Sequence, residues 1–261
     1  MAMNPGKITQ SITDGVSTIT FFHPQSNSMP GKLLRELAAT IQQASEATDS
    51  QVILLQSGTE DGSKAAKGAF CAGASFDELM AINNLDEGKL FFSGFAHVLN
   101  AMRLSKKFII ARVHGKAVGG GVGIAAGADY TFATQFAEVK LSELAVGIGP
   151  FVVGPAVERK IGTAAFSELS MDATNWRSAE WALQKGLYAN VSKSSDEMDL
   201  QIAALIDKLK ASNPGAMQEL KKIFWEGTDH WADLLLQRAS ISGKLVLSEF
   251  TRNAIQQFKK S

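Results

Sequence analysis

IIARVHGKAVGGGVGIAAGADYTFATQFAEVKLSELAVGIGPF, residues 109–151, is the stretch on which the reading of this chain turns. It reads as a buried strand, a glycine run opening a helix of small residues, two further strands, and Glu143 set among apolar neighbours. Glycine in a helix costs roughly 1 kcal/mol relative to alanine, so Gly119, Gly120, Gly121 and Gly123 need a compensating reason. Two reasons suffice: close helix packing, or close approach of a ligand to bare backbone. Gly121-x-Gly123-x-x-Ala126 also fits a dinucleotide fingerprint, with Glu143 standing about 20 residues on, where a ribose-binding acid belongs. That fit is loose, because His114 to Val118 separate the strand from the glycines. No Lys-Ser/Thr follows the run, so a P-loop fails. A lone glutamate is ordinarily a solvated charge. Val139, Leu141, Leu144, Val146 and Ile148 around Glu143 imply a desolvated carboxyl with a raised pKa, suited to moving protons.

Working outward, Ala72-Gly73-Ala74-Ser75 marks a strand-to-helix turn upstream. Backbone N–H groups are unpaired at such a helix start, so the Ala74 N–H can receive an oxygen anion. The plainer reading is that Gly73 permits the turn and Ser75 caps the helix. Residues 8–13 and 16–22 around Asp14-Gly15 predict a hairpin. A helix follows from Pro30 to Glu46, then a short buried strand, QVILLQSG. Residues 58–67 read as an exposed, mobile loop. Leu90, Phe91, Phe95, Val98, Leu99 and Met102 form one face of a helix over residues 86–104, closed by Lys106-Lys107. Past Pro150 the chain is mostly helical, including a long run from Trp231 to Lys259, with one strand in LYANVS at residues 187–192. The division expected is an α/β core over 1–192 and a helical region over 193–261.

Lys+Arg and Asp+Glu balance at 26 each, so neither nucleic acid nor an anionic membrane is the expected partner. One cysteine, Cys71, excludes an internal disulfide framework. No apolar run reaches ~18 residues and no leader pattern is seen, so a cytoplasmic location is the expectation. His23, His97, His114 and His230 fall at no metal-ligand spacing, and no metal is expected. Trp225, Trp231 and Leu234 to Leu236 read as core or subunit interface, and Lys259 and Lys260 as a solvated tail. No G-x-S-x-G elbow occurs.

With FCAGASFDEL, VHGKAVGGGVGIAAGADYTFA and the ITFFHPQSNSM segment in this order, the chain resembles the crotonase superfamily, the enoyl-CoA hydratase/isomerase family. The resemblance covers most of the chain. It implies an α/β fold, a spiral of ββα units with a helical C-terminal region that trimerises and covers the site, in a homotrimer or hexamer. It also implies an acyl-CoA thioester substrate, no cofactor beyond the coenzyme A moiety, and an oxyanion hole on the N–H groups of Ala74 and Gly120. Two such donors, fixed before charge develops, stabilise an enolate-like thioester oxygen. Ala72, Gly73, Ala74 and Lys32 are the residues expected at the coenzyme, with Arg35, Lys64 and Lys67 as further phosphate candidates.

Hydratases of the family use two glutamates; the second matches Glu143, and the first falls on Gly123. Adding water benefits from two acid/base groups, whereas moving a proton from C2 to C4 on one face needs one, so a single glutamate favours isomerisation. GIGPFVVGPAVERKIG, residues 147–162, also resembles mitochondrial Δ3-Δ2 enoyl-CoA isomerases. The readings left open are a hydratase, branched substrates such as methylglutaconyl-CoA included, an acyl-CoA decarboxylase, and a non-catalytic CoA-ester-binding homologue. Asp77 and Glu78 are the candidates to replace the missing acid. Ser75 stands where the family often has Asp, and Asp77 where it often has Lys, which removes the usual cation near CoA.

Overall fold

A computed structural model describes residues 4–258. β1 (Lys7–Thr13) and β2 (Val16–Phe22) pair antiparallel, with Thr13 opposite Val16. Asp14 and Gly15 both have positive φ, 49° and 75°, the conformation a two-residue hairpin turn requires. β3 (Val52–Ser57), β4 (Phe108–Val113), β6 (Tyr130–Thr134) and β8 (Asn190–Ser192) extend the sheet in parallel, in the order β1-β2-β3-β4-β6-β8. A second, two-stranded sheet pairs β5 (Ala117–Val118) with β7 (Val139–Lys140).

Side-chain alternation sorts the main sheet into two faces. Ile53, Leu55, Ile109 and Ala111 enter the larger core beside α1 (Gly31–Glu46) and α3 (Leu85–Leu104). Val52, Ile110 and Phe132 enter a smaller one, closed by Met198, Ile202 and Ile206 of α7 (Ser195–Lys210). Because both faces are covered, β4 is buried at every residue, as interior parallel strands are. Between these elements lie α2 (Phe76–Ala81), capped by Ser75, whose side chain accepts the Glu78 N–H, and α4 (Gly120–Gly127), buried throughout. α5 (Gly154–Met171) and α6 (Ala179–Gln184) follow.

Beyond β8 each helix has its own anchor. Asp129 accepts from the Ile109 backbone N–H and holds α8 (Pro214–Phe224) through Lys221 at 2.6 Å; its other oxygen takes Trp225 Nε1 at 3.0 Å. α9 (Trp231–Leu245) crosses α3 at Gly88 and Gly243, where a Cβ on Gly88 would lie 2.6 Å from the Gly243 carbonyl oxygen. α10 (Glu249–Phe258) packs on the turn at Gly147, where a Cβ would meet the Phe250 ring at 2.5 Å.

The loop at 58–67 is largely exposed, as expected; within it Gly58 bridges to Lys64, the Asp61 carboxylate takes Ser63 N–H, and Lys64 pairs with Asp199 at 2.6 Å. The structure corrects three expectations. Leu90 is 62% exposed, outside the buried face of α3. Lys107 caps α1 rather than α3, donating to the Ala44 carbonyl at 2.6 Å, and Lys106 pairs with Glu46. The long C-terminal run is two helices, since the chain turns between Leu245 and Glu249. Trp225 and Trp231 are buried, with their rings 5.8 Å apart. Lys259 and Lys260 lie outside the described residues. No helix among the described residues is long and apolar enough to cross a membrane.

Candidate active site

A single parallel bridge, Cys71 to Ala117, brings the two glycine-bearing turns together. Val118 N–H donates to the Cys71 carbonyl at 2.9 Å, and Cys71 N–H to the Lys116 carbonyl at 3.3 Å. Ala74 and Gly120 each stand three residues beyond that bridge, so the two turns emerge side by side. Gly73 (φ +84°) permits the approach: a Cβ there would lie 2.8 Å from the Val118 carbonyl oxygen and 3.4 Å from the Gly120 nitrogen. Gly120 is the first residue of α4, whose leading N–H groups have no intrahelical partner. Neither its N–H nor that of Ala74 donates to an acceptor among the described residues. Two free donors therefore line one cavity. No side chain fits at Gly120, where a Cβ would sit 2.1 Å from the Phe95 ring.

Glu143 follows β7 and begins the short 3-10 turn Leu144–Val146. Its carbonyl accepts the Ile148 N–H at 2.9 Å, and Gly119 N–H donates to the Lys140 carbonyl, which holds β7 and the glycine turn in step. The side chain reaches back over that turn, so that a Cβ on Gly119 would come within 2.8 Å of Oε1. The residue keeps some exposure as a whole, yet Oε2 is buried without a hydrogen-bond partner. Burial pushes the carboxyl up to about 7, opposed in small part by its own backbone N–H. A carboxyl poised there accepts and returns a proton near neutral pH.

Ala72, Gly73, Ala74, Gly120 and Glu143 share a narrow cavity of about 60 Å³, walled by Phe76, Phe92, Phe95 and Phe151. Glu143 is the only titratable side chain on its wall among the described residues. Gly123 does not face it openly: a Cβ there would lie 2.4 Å from Val153 Cγ1, at the start of α5. Gly121 is likewise packed, with a Cβ position 2.5 Å from the Cys71 carbonyl oxygen. The dinucleotide reading fails here, because the glycines of that fingerprint are spent on protein contacts.

A roomier cavity of about 570 Å³ adjoins the same loop and is lined by Lys32, His23, Ser75, Asp77 and Glu78. Lys32 thus stands apart from Ala72 to Ala74, across Ser75. Asp77 and Glu78 do not line the narrow cavity; Asp77 accepts from Gln25 and Glu78 from the Gly31 N–H. Arg35 borders a further depression with Lys32. Lys64 is bound to Asp199, and the Lys67 carbonyl faces His114 Nε2 at 3.0 Å. Burial lowers His114 to about 4 and raises Cys71 to about 12, so both stay neutral at pH 7. The described residues contain no cluster of His, Cys, Asp or Glu able to hold a metal ion.

Sequence reasoning pointed to the helix over 86–104 and to the segment 147–162 but did not single out Phe92 or Val153 within them, and it missed Ser242; all three are on the cavity wall. Val153 sits 30 residues past Gly123 and Ser242 nearly 100 beyond Glu143, so no local pattern connects them to the motif.

The family described as Enoyl-CoA hydratase/isomerase matches residues 11–258. A probable enoyl-CoA hydratase of Bacillus subtilis is 25% identical over 96% of this chain and 95% of its own length. A short-chain-enoyl-CoA hydratase of Clostridium acetobutylicum is 27% identical over 93% and 90% respectively. Among solved structures, an enoyl-CoA hydratase from Bacillus halodurans superposes with a TM-score of 0.85 at 19% identity, covering 96% of this chain and 99% of that one. At that identity the superposition establishes a crotonase-type fold and nothing finer.

Proposed function

This chain belongs to the enoyl-CoA hydratase/isomerase family, and on that premise we propose that it isomerises a 3-enoyl-CoA to its 2-enoyl form. The observation that carries this reading is Val153 in the space over Gly123, which leaves Glu143 as the only acid/base side chain on the cavity wall among the described residues. The thioester oxygen receives the N–H groups of Ala74 and Gly120. Glu143 takes a proton from C2; the C2–H electrons pass into a dienolate whose oxygen those donors stabilise. The same carboxyl then gives its proton to C4, the double bond comes to rest between C2 and C3, and no water is consumed.

One carboxyl near pKa 7 serves both halves, because it is a base and an acid within the same pH range. The acyl group takes the narrow cavity, and the coenzyme takes the adjoining one past Ala72, Gly73 and Lys32. No cofactor beyond the coenzyme A moiety is required. The proposed assembly is a homotrimer or hexamer, as the family resemblance implies.

Hydration, the activity in the names of both relatives, would need a second acid, and Asp77 and Glu78 are occupied elsewhere. A decarboxylase substrate would place a carboxylate beside Glu143 without a cation on the wall. The test is incubation of the protein with a 3-enoyl-CoA and, separately, a 2-enoyl-CoA. Conjugated 2-enoyl product from the first, lost in Glu143→Gln by about a thousandfold or more, is expected. Hydroxyacyl-CoA from the second as the faster reaction would overturn the reading.

A further inference from the structure

A hydroxyl without a protein partner lies on the wall of the narrow cavity. Ser242 is 1% exposed, lies on the cavity wall, and makes no side-chain hydrogen bond among the described residues. A helical serine can return its hydroxyl to the carbonyl four residues back. Ser93 does so with Lys89 at 2.6 Å, and Ser240, two residues from Ser242, with Leu236 at 3.1 Å. Ser242 does not, although it lies in the same helix. Its position is set by the contact between Gly88 and Gly243, where a Cβ on Gly243 would come 2.6 Å from the Lys89 nitrogen. With the backbones this close, α9 delivers Ser242 into the wall that α3 builds from Phe92 and Phe95. Ser142, beside Glu143, is a second hydroxyl on the wall without a side-chain partner among the described residues.

A buried polar group is normally paired, and one aimed into a ligand cavity is paired when the ligand arrives. The wall bears no cation among the described residues, so a second carboxylate on the acyl chain would be desolvated without a counter-charge and beside Glu143. We propose that Ser242 is a specificity-determining residue selecting acyl-CoA thioesters whose chain carries an uncharged oxygen, a hydroxyl or keto group, away from the thioester. This rests on the acyl-CoA reading of the cavity but not on the direction of any reaction.

Binding of saturated, unreactive ligands therefore tests it separately from catalysis. Hexanoyl-CoA and 6-hydroxyhexanoyl-CoA, titrated calorimetrically into the full chain, are expected to differ by about tenfold or more in Kd, the hydroxylated chain binding tighter. Ser242→Ala should remove the difference, while Ser240→Ala, in the same helix but off the cavity wall, keeps the tighter binding of the hydroxylated chain. Equal affinities in the parent protein, a preference that survives Ser242→Ala, or no binding of either ligand would each overturn the inference. Failure of 3-enoyl-CoA turnover with the binding preference intact would count against the isomerase reading alone.

Discussion

At the scale of single residues, Glu143 carries both a proposed chemical role and a folding cost. Its carboxyl is raised from 4.5 to about 7 by burial, with Oε2 unpartnered. An acid whose folded pKa lies above its unfolded one holds its proton more tightly when folded. The fold therefore loses stability as pH rises from about 4.5 to about 7, and the cost is fully present above that window. Glu143→Gln should accordingly be more stable than the parent at pH 8 by on the order of 2 kcal/mol, with the difference fading towards pH 4.5. Urea titrations at both pH values read this directly; a pH-independent difference would refute it. The same ionisation predicts that kcat/KM for isomerisation rises with pH through about 7 and levels off above, because the base must be charged to take the C2 proton. Gly73 and Gly120 are the complementary residue-scale constraint. The first has φ +84° and the second has the Phe95 ring in its Cβ direction, so each is glycine because its neighbours leave no alternative.

Between elements, two contacts define the cavity, and both are made by glycine. α4 meets the start of α5 at Gly123, with Val153 filling the place of a side chain; α3 meets α9 at Gly88 and Gly243. Gly123→Glu forces a new Cβ to 2.4 Å from Val153 Cγ1 and adds a buried carboxylate, for which about 3 kcal/mol or more of lost stability is expected. Adding Val153→Gly removes the Cγ1 and Cβ clashes and leaves Cα at 3.6 Å, an ordinary contact. Thermal unfolding should therefore show a large fall in Tm for the single variant and partial recovery in the double. A single variant as stable as the parent would show that Val153 does not close that space. This packing also gives the isomerase reading its physical content, since the second acid is excluded by volume and not merely absent from the sequence.

Across the whole molecule, the helices beyond β8 serve the sheet and the site together. α7 covers the second face of the sheet, α8 is tied to Asp129, α9 supplies Ser242, and α10 buttresses the turn after Glu143. Exposed Leu104 and Ile223, 65% and 61%, flank one depression where α3 ends and α8 runs past. A partner copy there would be consistent with the proposed trimer or hexamer. Light scattering on the purified protein is expected to give three or six times the 27.9 kDa chain mass, and a monomeric mass would refute the assembly. By itself the sequence determined the hairpin, the buried strands, the glycine-bearing turns that precede Ala74 and Gly120, and the desolvated state of Glu143. Each of these follows from residues close together in the chain: a two-residue turn, an apolar run, a glycine cluster, an acid among hydrophobes. The family resemblance already favoured an anion hole over a dinucleotide fingerprint; only the tertiary structure showed what each glycine touches. It likewise decided the neighbour of Gly123, the second anchor of Lys64, and the place of Ser242. Those contacts join residues 30 to about 170 positions apart, and a side chain's volume acts on whatever the fold brings against it, not on its neighbours in sequence.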